Sequence, residues 1–233
     1  MKKILFLIPP SEGKTSGWEL WNETLNFHFE KPTKIIEQAN EKDLKCKGKR
    51  FEEAQELNTL CSSPLLQGRG DSEVRAAIAR YNGVMYSAID YDAMTLDAQH
   101  IFDRHFLICS GMYGLVWPQD AIANYKLPIE TKWLSHFWKE KITQTLNESK
   151  FNIIVDVLPG SYKKMINWKK LHKKVIVVDF FEMKDGKKKK MTHGVKAVKG
   201  KWIKKLCEKD FTEFENMILE KISQGETRLE VLQ

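Results

Sequence analysis

The sequence predicts an α+β fold: a compact single domain over residues 1–233, with a mixed sheet surrounded by helices. Three observations carry this. Short, nearly continuous apolar runs, KILFLI (3–8), FNIIVDVLP (151–159) and KVIVVDFFEM (174–183), read as buried strands. Stretches with apolar residues at helical spacing separate them, as in WLSHFWKEKITQTLNES (133–149). No internal repeat, low-complexity linker or shift of composition divides the 233 residues, and that length can bury one substantial core.

The elements follow in order. The first strand ends at Pro9-Pro10 and runs into the polar loop PPSEGKTSG (9–17). From Thr33 to Leu60, charged and apolar residues alternate at helical spacing, which predicts two helices broken near Lys47-Gly48. DSEVRAAIARYNG (71–83) predicts a helix with Asp71 or Ser72 as its N-cap and Gly83 as its C-terminal stop. VMYSAID (84–90) suits a short strand, and DAMTLDAQHIFDRH (92–105) a helix capped by Asp92 or Thr95. The run HFLIC then enters SGMYGLVWPQD (110–120), where two glycines predict a tight turn between helices, the second starting after Pro118. Lys184-Asp185-Gly186 marks a β-hairpin turn, and residues 198–224 read as one or two helices.

Composition bounds the function. Hydrophobic residues make up 42% and charged residues 30%, as in soluble globular proteins. No apolar run approaches the roughly 20 residues of a membrane helix. The start MKKILFLIPP looks like a clipped signal peptide, but its apolar part is only Ile4 to Ile8 and two prolines stop it. A strand, and a cytoplasmic protein with no membrane partner, are therefore expected. Cys46, Cys61, Cys109 and Cys207 form no Cys-x-x-Cys pair, and Cys109 reads as a buried thiol. Of the six histidines only His100 and His105 are close, at a spacing that does not share a helix face, so no metal site and no cofactor are expected.

Charge is unevenly placed. Between Lys163 and Lys209 there are 17 lysines and 4 acidic residues, against a whole-chain net charge of +7. A basic segment on an otherwise acidic chain suits a polyanion. Lys196, Lys199 or Gly200, and Lys204 recur at helical spacing with Lys201 beside them, a stripe that can neutralise phosphates. Gly111 and Gly114 allow backbone amides to approach a phosphate. Gly13-Lys14-Thr15 after a strand is reminiscent of a phosphate loop, but Ile8 stands where a Walker loop needs its first glycine. Ser11, Glu12, Lys14 and Thr15 can still line a pocket. No paired carboxylates and no nucleophile–base pair stand out, which counts against an enzyme; the catalytic candidates of an enzyme reading are Ser11, Lys14, Tyr86 and His193.

The motifs PPSEGKT, RYNGVMYSAI, SGMYGLVWPQDAIANYKLPIET, HFWKEKITQTLNE, IVDVLPGSYKKMI and VKAVKGKWIKKL occur in this order. Together, from about Ile4 to Phe214, they resemble the YaaA family of bacterial peroxide stress proteins. The resemblance implies a mixed α/β domain with a positively charged cleft and a helix-hairpin-helix-like element. It also implies binding of double-stranded DNA and protection from hydrogen peroxide. It carries over the loop residues Ser11, Lys14 and Thr15, the turn at Gly83 with Tyr86, and the hairpin residues Ser110, Gly111, Tyr113, Gly114 and Pro118. The basic positions it implies are Lys196, Lys199 and Gly200. The expectation is a stress protein that holds duplex DNA without sequence preference through these residues and Lys201. The alternative is an enzyme acting on a nucleobase or nucleotide-like molecule in the same cleft.

Overall fold

The computed structural model describes residues 3–17, 25–62 and 74–232. Its centre is β1 (Ile4–Ile8), in which all five residues are buried. On one side β1 pairs in parallel with β3 (Phe106–Ser110), with Phe6 opposite Phe106. On the other side it pairs in parallel with β6 (Ile153–Asp156), with Leu7 opposite Asp156. β4 (Gly114–Val116) extends the sheet antiparallel to β3, and β7 (Lys174–Lys184) extends it parallel to β6. A second, two-stranded sheet joins β2 (Val74–Ala76) to β5 (Ala121–Ala123).

β7 is long enough to carry three partners. Val177 pairs with both Asp156 of β6 and Arg228 of β9 (Arg228–Leu232), so β6 and β9 lie on opposite edges of β7. Phe181 pairs with Leu232 of β9 and with Lys190 of β8 (Lys187–Lys190). β8 therefore shares an edge with β6 and extends the sheet beyond the carboxyl end of β6. Asp185 and Gly186 both have positive φ in the turn, as a type I′ hairpin requires, so the expected Lys-Asp-Gly turn is present.

Helices seal the core. Thr33–Gln38 (α1), Glu41–Leu44 (α2) and Lys49–Ser62 (α3) occupy the first helical stretch. The break at Gly48 is as expected, and a capping box at Asn40 and Asp43 adds a second break. Leu96–His105 (α6) starts at Thr95, whose hydroxyl accepts from the Ala98 amide, as expected. Leu134–Glu148 (α7) buries Trp138, Ile142 and Leu146. Val195–Lys205 (α9) runs through a π turn, Leu206–Asp210, into Phe211–Ser223 (α10). Phe6 stacks on Phe106 at 4.4 Å between centroids and also meets Trp202, Phe211 and Phe214. These contacts set α9 and α10 over β1, and full burial of one such ring stabilises by about 1.5–3 kcal/mol.

Four expectations are corrected. The helix foreseen over 71–83 is instead β2 followed by the single turn Ala77–Arg80 (α4), because residues 74–76 are held in register against β5; Asp71 and Ser72 lie outside the described residues. Gly83 is the N-cap of a new helix rather than a stop. That helix, Val84–Ile89 (α5), replaces the foreseen short strand, because Met85, Tyr86 and Ile89 form one buried helical face. Around Gly111 and Gly114 the chain is a β-hairpin, Ser110 pairing with Gly114, and the segment after Pro118 is strand β5. Strand β9, beyond the foreseen terminal helices, is an addition.

Candidate functional site

From β1 the chain passes to β3 on one side, then to β6 on the other, with all three strands parallel. Such a reversal opens a crevice between β1 and β6 at their carboxyl ends, where open α/β sheets bind ligands. The loop after β1 carries Pro9 to Gly17, and the loop after β6 leads through Pro159 into Gly160–Lys163 (α8). Between them lies a cavity of ≈ 280 Å³, whose lining includes Ser11, Glu12, Tyr86, Tyr162, Lys196 and Lys199. The first turn of α9 also reaches it through Val195 and Lys196. The positive end of the α9 dipole and two lysines therefore face the same space.

Each side chain is held by its own element. Tyr86, on α5, donates to the Pro9 carbonyl at 2.8 Å and so ties that helix to the end of β1. Gly83 lets the two approach, since a Cβ there would lie 2.2 Å from the Ser11 hydroxyl oxygen. Lys199 donates to the Val157 carbonyl at 2.7 Å, and burial, opposed by nearby Asp156, lowers its pKa to about 8. Asp156 ends β6 and is only 2% exposed. Burial raises its pKa, opposed by the 2.5 Å bond from Lys163 Nζ and by the Leu158 amide. Burial alone would raise Glu130, but hydrogen bonds from its own amide, Lys45 and Ser161 outweigh it and hold the carboxylate below its ordinary value.

A smaller cavity of ≈ 70 Å³ adjoins this one through Pro10, Ser11, Glu12 and Tyr162, which line both. Lys14 lies there. Its Nζ donates to the carbonyls of Ser11 at 3.1 Å and Glu12 at 3.4 Å, and sits 4.0 Å from the Tyr125 ring centroid. Burial lowers its pKa to about 7, against the opposing pull of Cys61 and Glu12. The backbone of this loop is fixed: Lys14 bridges antiparallel to Tyr81, and Arg80, fully buried, donates to the Thr15 carbonyl at 2.6 Å. Behind Lys14 the Tyr81, Tyr125 and Ser110 hydroxyls form a chain, each link 2.8 Å.

Ser11, Tyr86, Lys196 and Lys199 thus meet in one cavity, and Lys14 stands in the next. Other expected site residues do not join them. Thr15 is bound to the Ala79 and Arg80 carbonyls, and Ser110 is wholly buried, accepting from the Tyr113 amide at 3.1 Å. Gly111 accepts from Trp138 Nε1 at 2.8 Å, while Gly114 has φ +76° and packs against the same ring. Tyr113 is buried, its hydroxyl accepting from the Ala123 amide. The hairpin residues 110–114 are therefore core, without amides offered to a solvent phosphate. Gly200 is also buried, at the α5–α9 crossing, where a Cβ would meet the Met85 carbonyl oxygen at 2.3 Å. His193 and Lys201 are exposed and line neither cavity. Tyr162, Ser161 and Glu130 were not foreseen. The Leu-Pro-Gly step after a strong strand is the sequence signal that could have pointed to the first two.

Residues 4–224 match the family described as peroxide stress protein YaaA. The chain belongs to the YaaA peroxide stress family. Curated relatives of this YaaA protein include a UPF0246 protein of Francisella tularensis subsp. tularensis, 33% identical over 56% of this chain and 55% of the relative. A UPF0246 protein of Rickettsia conorii is 30% identical over 58% of this chain and 57% of its own length. One of Hahella chejuensis is 30% identical over 56% and 55%. The chain matches a little over half the length of each of these YaaA relatives. No described helix is long and apolar enough to cross a membrane.

Proposed function

We propose that the cleft between β1 and β6 binds a phosphorylated small molecule of the nucleotide class, and that this binding serves protection from peroxide. The observation that carries the reading is the cavity itself, where Ser11, Tyr86, Lys196 and Lys199 converge on the first turn of α9. A partly open cavity of ≈ 280 Å³ suits a small ligand. Two ammonium groups beside a helix N-terminus favour a phosphate as its charged part. The test is calorimetric titration of the purified chain with adenosine monophosphate and inorganic pyrophosphate. Replacing both Lys196 and Lys199 by Met is expected to weaken binding by at least about tenfold, equivalent to about 1.4 kcal/mol. Equal affinity in the variant removes the reading.

A second reading, duplex DNA as partner, draws support from one observation: all four lysines of β8 are exposed. Phosphate neutralisation by an exposed lysine ribbon needs no enclosed cavity and gives no sequence preference.

A further inference from the structure

We propose that Lys14 forms an imine with the aldehyde of a phosphorylated open-chain sugar, whose phosphate occupies the adjoining cleft. The inference rests on the phosphate reading of the cleft and adds the chemistry at its far end. Four lines of geometry support it. The small cavity, at ≈ 70 Å³, accepts a carbonyl end. Ser11, Glu12 and Tyr162 line both cavities, which sets the two spaces side by side. An uncharged amine has two hydrogens, and two carbonyl oxygens, those of Ser11 and Glu12, are placed to accept them. Its lone pair then remains for bond formation. The loop is also fixed, by the bridge to Tyr81 and by the buried Arg80, so the amine is held in place without a ligand.

Charge favours the same role. Burial outweighs Cys61, Glu12 and the Tyr125 face, which favour the ammonium, while Arg80 and Lys126 add to the lowering, leaving the value at about 7. About half of Lys14 is then free base at neutral pH, against about one part in a few thousand for an ordinary lysine. Nζ attacks the carbonyl carbon, and the C–N bond forms as the oxygen takes up a proton. The resulting hydroxyl leaves as water with a second proton, while nitrogen gives up its hydrogens and the C=N bond forms. Glu12, exposed on the shared wall, can relay these protons to solvent. Once protonated, the imine withdraws electrons from the neighbouring carbon and supports bond cleavage or proton exchange there.

The experiment incubates the full chain at pH 7 with 2-deoxyribose 5-phosphate and sodium cyanoborohydride, the hydride donor that fixes an imine as a secondary amine. Peptide mass mapping then locates the adduct. Labelling is expected at Lys14, on the order of a thousandfold faster than at an ordinary lysine, as the free-base fractions imply. Excess inorganic pyrophosphate should suppress it, and Lys14→Arg, checked for an unchanged melting temperature, should abolish it. Adducts spread over the β8 lysines with Lys14 unmodified overturn the proposal. Pyrophosphate titration of the same samples separates the two levels. Retained pyrophosphate binding without a Lys14 adduct rejects the imine alone, whereas absent binding rejects the phosphate cleft and the proposal with it.

Discussion

Lys14 shows how one residue's environment can override its type. Nothing in Gly-Lys-Thr beyond a familiar dipeptide suggests a perturbed amine. The perturbation comes from burial, helped by the Arg80 and Lys126 charges, all supplied by segments distant in sequence. It also makes a prediction about stability. Folding lowers the Lys14 pKa to about 7, so between pH 7 and 10 the unfolded chain holds a proton there that the folded chain has released. Stability contributed through this group therefore rises with pH across that window and is least below it. Lys14→Met removes the dependence. Unfolding free energies of wild type and variant, measured by denaturant between pH 6.5 and 9.5, should diverge in favour of the wild type as pH rises. Taking the difference cancels the thiols of Cys109 and Cys207, which burial pushes up in both proteins. A difference that stays flat with pH contradicts the lowered value.

Among the elements, the α5–α9 pair positions the cleft. Tyr86 comes from one helix, Lys196 and Lys199 from the other, and Gly200 sets how closely they cross. A Cβ at Gly200 would meet Ala88 Cβ at 2.6 Å and the Ile89 amide nitrogen at 3.0 Å, so helix backbones must part. Gly200→Ala is expected to cost about 1–3 kcal/mol, as overpacking does, despite the better helix propensity of alanine. A denaturation midpoint equal to or above wild type's would show that the crossing is slack. This element also marks the limit of what the sequence discloses. The apolar strands β1, β6 and β7, the capped helix α6 and the Asp-Gly hairpin are legible because local pattern and tertiary need agree. α5 is not, because six residues carry too little periodicity to separate helix from strand. The Gly111–Gly114 turn misled for a related reason. Glycines needed for packing under Trp138 are spaced like glycines that expose amides, and only the strands on either side distinguish the two. The cleft is half legible: Ser11, Lys196 and Lys199 follow from loop and stripe and Tyr86 from the family resemblance, while Glu130 and Tyr162 depend on how distant loops fold together.

At the scale of the molecule, the basic segment divides into two populations. Lys163, Lys188, Lys190 and Lys204 are engaged with Asp156, Glu230, Asp179 and Asp90, while Lys199 donates to Val157 and lines the cleft. The net positive charge of this segment therefore overstates the ammonium groups poised for a polyanion, since a partner must compete with carboxylates already in place. The exposed pairs among them, Lys188–Glu230 and Lys204–Asp90, are individually weak, about 0–1 kcal/mol, so a duplex can displace them at low salt. The β8 hairpin and the cleft should then respond differently to ionic strength. Replacing Lys187 to Lys190 by Gln is expected to flatten the dependence of log K for duplex DNA on log salt, by about 0.9 for each phosphate no longer neutralised. Pyrophosphate affinity should stay within about twofold, because the cleft lysines lie on α9 rather than β8. Lys196→Met with Lys199→Met should do the reverse, losing pyrophosphate and keeping most of the DNA slope. If both variants lose both ligands in parallel, the cleft and the hairpin form one continuous anion surface, and the division into two sites is wrong.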